Sequence, residues 1–144
     1  MGLDMYLTKR GKTSKEGEGR EICYWRKANA ILNWFDHNLE SVKQQEIPEK
    51  TGVLDREGVR NTTPYRVKKE ELEKLLSDCK KLLAGDRTAA SIPRDLQRVS
   101  GFFFGSTLID DWYWEDIQDT VKMLEEELPE IDWDNDIVEF SIWY

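Results

Sequence analysis

Two short stretches of alternating polarity, one at each end of the chain, constrain the fold more than anything between them. In residues 2–7, Leu3, Met5 and Leu7 fall on one side and Asp4 and Tyr6 on the other, a period of two that predicts a half-buried strand. From Ile137 to Tyr144, Val138, Phe140, Ile142 and Tyr144 alternate with Ile137, Glu139, Ser141 and Trp143. Both of these sides are mostly apolar, which suits a central strand with one face only partly covered. Strands at both ends with helical patterns between them predict an α+β domain, about three helices packed on a small antiparallel sheet that uses both termini. At 144 residues, the chain reads as a single domain, 1–144.

The helical patterns are distinct. From Arg26 to about Gln44, spacings of three and four place Ile31, Trp34, Phe35 and Leu39 on one stripe. In KEELEKLLSDCKKLLAG, Leu72, Leu75, Leu76, Cys79, Leu82 and Leu83 share a face, and Gly85 stands where a C-terminal cap belongs. Cys79 on that stripe reads as a core residue. A third helix is predicted to start with Asp110 or Asp111 as its cap, to bury Trp114, Ile117, Val121, Leu124 and Leu128, and to stop before Pro129. Ile22 to Trp25 fits a short strand or the start of a helix, and PYRV fits a strand end. The polar, glycine-bearing stretches Gly11–Gly19 and Glu46–Pro64 read as loops, the second with room for a short hairpin. Asp86–Val99 reads as an irregular connection.

Composition removes several function classes. Charged residues reach 35%, but 39% hydrophobic and 11% aromatic residues, six of them Trp, argue against disorder. No apolar run approaches the roughly 20 residues of a membrane-spanning helix. MGLDMYLTKR lacks the apolar core of a secretory signal, so a cytoplasmic location is expected. Cys23 and Cys79 make neither a zinc quartet nor a disulfide framework and are expected to stay reduced. The single histidine, His37, lies off its helix's apolar stripe and is expected to be exposed and idle. No P-loop, dinucleotide fingerprint, His-Glu-x-x-His or nucleophile elbow is present, so neither catalysis nor a cofactor is expected. Asp132, Asp134 and Asp136 lack the glycine and distal Glu of a calcium loop, so no metal is expected.

Net charge is −8, unevenly spread. Asp110–Tyr144 holds 13 acids against the single Lys122, whereas Met1–Ile109 holds 20 bases and 16 acids. The acidic block repels nucleic acid and attracts cationic protein surfaces.

Two segments are denser in functional groups than a core requires. CYWRKANAILNWF places Trp25, Arg26, Lys27 and Asn29 at the expected start of a helix. Cations are disfavoured there, and a bound anion on the free N–H groups of the first turn would offset that cost. SGFFFGST sets Phe102, Phe103 and Phe104 between two glycines, with Ser106 and Thr107 beside them. Such a segment can supply an aromatic wall for a base and hydroxyl donors for phosphate or ribose, stacking being worth on the order of 1–3 kcal/mol per base.

The opening MGLDMYL, then YWRKANAI followed by NWF, a Leu-rich helix with a Cys, and SGFFFGST together resemble a widespread family of small uncharacterised phage and prophage proteins, over roughly residues 1–125. Family members commonly carry His where this chain has Leu32, and a Cys-Gly-Glu turn where it reads NTTPYRV; the stretch from Leu128 onward looks like an addition. The resemblance implies a phage accessory protein in the host bacterial cytoplasm, a setting in which small proteins counter immunity. Two functions are expected from this. One is non-catalytic sequestration of a nucleotide-derived immune signal, with Arg26 and Lys27 neutralising phosphate, Asn29 bonding sugar or base, Trp25 and Phe102–Phe104 stacking, and Ser106 and Thr107 donating to phosphate, in a pocket near a homodimer interface. The other is an acidic, DNA-mimicking inhibitor of a host defence nuclease or CRISPR effector, binding through Glu115, Asp119 and Glu126.

Overall fold

A computed structural model describes residues 2–15, 18–46, 57–100 and 105–144. Strands β1 (Asp4–Gly11), β2 (Arg20–Arg26), β3 (Tyr65–Arg66) and β4 (Asp136–Trp143) form one antiparallel sheet in the order β2-β1-β4-β3. Helices α1 (Asn29–Asn38), α2 (Glu40–Lys43), α3 (Lys69–Ala84) and α4 (Asp111–Glu127) lie between the strands in sequence. The α+β reading therefore holds, with strands close to both ends of the chain. The two terminal strands are the central pair, aligned from Asp4 opposite Trp143 to Gly11 opposite Asp136. Whatever its origin, the C-terminal stretch is integral to the fold.

The alternation chooses the face. Met5, Leu7, Cys23, Trp25, Phe140 and Ile142 are buried, while Tyr24 and Trp143 on the other face are exposed. Phe35 of α1 stacks on Phe140 at 3.8 Å between ring centroids, and Trp25 meets both rings edge-on at 6.0 and 6.4 Å. Ile31, Trp34, Phe35 and Leu39 are all fully buried, as their spacing predicts.

Several boundaries differ from the sequence reading. β1 continues through Thr8, Lys9 and Arg10 because β4 supplies ladder partners throughout and β2 as far as Lys9, so alternation of apolar side chains is not needed to hold it. Arg10 Nε meets Glu139 Oε1 at 2.8 Å, which lets a carboxylate sit nearly buried in a central strand. The first predicted helix begins three residues later, at Asn29, and breaks at Leu39, whose backbone is extended. The buried line of α4 is Tyr113, Ile117, Thr120 and Leu124, rotated from the predicted one. Polar handles hide that line from hydropathy: Tyr113 Oη donates to the Leu96 carbonyl at 2.7 Å, and Thr120 Oγ1 donates to the Asp116 carbonyl and accepts from Trp25 Nε1 at 2.9 Å.

Candidate functional site

At the C-terminal end of β2 the chain leaves the sheet beside the start of α4. Arg26 is the last residue of β2 and is exposed. Lys27 adopts a left-handed backbone, φ 55°, and its N–H donates to the Leu3 carbonyl at 2.7 Å. The cations thus precede α1 and do not occupy its first turn, and the Asn29 N–H is turned back onto the Lys27 carbonyl. An anion at this corner would therefore meet the side chains of Arg26 and Lys27 and not the first turn of α1.

Asn29 is fully buried and joins this corner to the second dense segment. Its Nδ2 donates to the Ser106 carbonyl at 2.9 Å, and its Oδ1 accepts from the Val99 N–H at 3.3 Å. Gly105, at φ 88°, lets the chain pass close to Lys27; a Cβ there would lie 3.2 Å from the Lys27 Cβ. The same Ser106 carbonyl accepts from Arg98 Nη1 at 3.2 Å. Arg98 Nη2 lies 3.5 Å from Asp110 Oδ1, and its guanidinium sits over the Tyr113 ring. Its side chain is only 5% exposed, and its Nε, closed off from solvent, has no hydrogen-bond partner among the described residues. A buried donor without an acceptor carries a desolvation cost of about 1–3 kcal/mol.

These residues enclose a hollow of about 260 Å³ lined by Arg26, Lys27, Arg98, Gly105, Ser106, Asp110, Trp112 and Asp116. Trp112 is 72% exposed and offers an indole face. Arg26 and Lys27 make no side-chain hydrogen bond or ion pair among the described residues. Asp110 caps α4 by accepting from the Tyr113 N–H at 3.3 Å. Burial pushes the Asp116 carboxyl up to about 6; Asp119, Glu115 and Asp110 add to that lift, and Arg98 opposes it. Three cations and two carboxyls, Asp110 and Asp116, therefore line the hollow, and the second carboxyl is the one that burial lifts.

The fate of the predicted residues is mixed. Arg26, Lys27 and Ser106 meet as expected, although Ser106 Oγ accepts from the Leu108 N–H at 3.0 Å and keeps only its own proton to donate. Trp25 is corrected: at 3% exposure, wedged between Phe35 and Phe140, it is a core residue and not a stacking face. Asn29 is corrected too, since its amide positions the 99–106 segment from full burial. Thr107 is exposed but outside the hollow. Phe102, Phe103 and Phe104 lie outside the described residues. Asp132, Asp134 and Asp136 bond within their own turn into β4. No group of three metal-ligating side chains exists among the described residues. His37 is exposed, its Nδ1 2.8 Å from the Asn33 carbonyl.

Glu115, Asp119 and Glu126 come together along α4. They line a second hollow of about 540 Å³, with Tyr24, Lys122 and Met123, that shares Arg26, Trp112 and Asp116 with the first. Sequence reasoning missed Arg98, Asp116 and Trp112. Arg98 sits in an aperiodic connection, where no pattern marks it. Trp112 was visible as a large aromatic off the apolar stripe of its helix.

No protein-family model, no curated protein and no solved structure matches this chain.

Proposed function

We propose that the protein is a non-catalytic binder that sequesters a small anionic, nucleotide-derived ligand, in keeping with a phage accessory role against host nucleotide signalling. One observation carries this reading: Arg26, Lys27 and the buried Arg98 converge on a single hollow beside an exposed indole. Phosphate oxygens would accept from the exposed Arg26 and Lys27, which have no side-chain hydrogen bond or ion pair among the described residues. Trp112 takes the stacking role that Trp25 is too buried to play. Isothermal titration against cyclic dinucleotides and ADP-ribose derivatives tests the proposal. The expected result is a micromolar or tighter complex, about −8 kcal/mol, weakened about tenfold or more by Arg26→Ala, in line with a lost charged hydrogen bond. No binding at a hundredfold excess over that threshold overturns it.

A second reading, an acidic inhibitor docking on a defence nuclease, is favoured by Glu115, Asp119 and Glu126 sharing one hollow. The cations Arg26 and Lys122 interrupt that array, which departs from the unbroken charge of a duplex. Reversing the three acids abolishes inhibition under the second reading and leaves it intact under the first.

A further inference from the structure

β2 is the outer strand of the sheet, and its far edge pairs with no strand among the described residues. Such an edge turns alternate N–H and C=O groups outward. β1 reads β2 as five consecutive rungs. Asp4, Met5, Tyr6, Leu7 and Thr8 face Arg26, Trp25, Tyr24, Cys23 and Glu21, and the register shift takes up Ile22. Glu21, Tyr24 and Arg26 therefore share the face turned away from the helices, and all three are exposed while Cys23 and Trp25 are buried.

The charges on that face are antisymmetric about Tyr24. Glu21 stands two rungs to one side of it and Arg26 two rungs to the other. Neither side chain makes a hydrogen bond or ion pair among the described residues. Tyr24 itself is 39% exposed and held in place, its hydroxyl donating to Asp4 Oδ1 at 2.5 Å and its ring 5.4 Å from that of Tyr6. Charges and bulges on an edge ordinarily bar a stray strand. A copy of the same edge, running antiparallel about a two-fold axis at Tyr24, is the exception. Glu21 then lies opposite Arg26 of the partner subunit, Arg26 lies opposite Glu21 of the partner subunit, and Tyr24 faces the partner's Tyr24. Each of these rungs is a favourable cross-strand pair, and the match is self-complementary, as a two-fold interface requires.

We infer that the β2 edge is a self-association surface, on which a second copy of this chain joins its own β2 so that the two four-stranded sheets become one. The pairing does not depend on the anion site, and the Arg26 guanidinium has donors enough to meet both a carboxylate and an anion in the hollow. The net charge of −8, the acids of α4 included, opposes the approach at long range. Sedimentation equilibrium therefore belongs at about 0.15 M salt, where screening sets in beyond about 8 Å. The native chain should reach twice its own mass there. Glu21→Arg puts like charges on two rungs and should raise the dissociation constant about tenfold or more. Arg26→Glu should do the same. The double variant Glu21→Arg, Arg26→Glu should return to within about threefold of the native value, because it restores both pairs with their signs exchanged. Under oxidation Tyr24→Cys should cross-link two copies, its Cβ atoms lying about 5 Å apart. Glu21→Cys, about 14 Å from its own counterpart, should not. A native chain that stays monomeric, a dimer that Glu21→Arg leaves intact, or one that the double exchange fails to restore overturns the pairing. So does cross-linking at both positions or at neither.

Discussion

Asp116→Asn separates the electrostatics of the hollow from its shape. The carboxyl is displaced from 3.8 to about 6, mainly by burial. For a group cut off from solvent, that lift corresponds to about 3 kcal/mol; Asp116 keeps part of its surface in water, which reduces the figure to about 1–2 kcal/mol. Because the folded-state value is raised, its contribution is fully present below about pH 3.8. It is lost as pH rises through 6, where the unfolded chain has already given up its proton. Asparagine is nearly isosteric and stays neutral. Among the described residues, the carboxylate makes no hydrogen bond that the amide would forfeit. Urea unfolding of both proteins at pH 4, 5, 6 and 7.5 should show the variant more stable by about 1–2 kcal/mol at pH 7.5, the gap closing toward pH 4. Comparing the two proteins cancels the other acids of the chain. A gap that is constant across this range, or that widens on acidification, refutes the reasoning.

Two further outcomes follow from the same geometry. Asn29→Ala removes an amide that satisfies the Ser106 carbonyl and the Val99 N–H from full burial; it should cost about 2–4 kcal/mol in urea unfolding and also weaken nucleotide binding, because the 99–106 segment loses its tie. Burial pushes the Cys23 and Cys79 thiols up to about 12, so neither should react with a thiol-disulfide reagent at pH 8 in the folded protein, and both should react in 6 M guanidinium.

The sheet was legible because period-two alternation survives in the two terminal strands, and the cores of α1 and α3 because their stripes are purely apolar. The core line of α4 was not, because Tyr113 and Thr120 face inward on the strength of hydrogen bonds that hydropathy ignores. Within the site, the meeting of Arg26 and Lys27 with Gly105 and Ser106 could be read from residue density. The division of labour could not. Trp25 and Arg26 are neighbours on a strand, so one must face the core when the other faces solvent, and only the sheet's register decides which. Arg98 and Asp116 acquire their character from burial beside each other, which no single segment encodes.

The central claim is that a nucleotide's phosphate sits among Arg26, Lys27 and Arg98. Nitrogen-15 chemical-shift mapping tests it most directly, using the same cyclic dinucleotides and ADP-ribose derivatives. The backbone amides of Lys27, Arg98, Gly105 and Ser106 and the Trp112 indole N–H should move together and saturate. The contradicting result is that these resonances stay fixed under every ligand at millimolar concentration, or that the shifts gather instead in the cleft between Lys74 and Asp95.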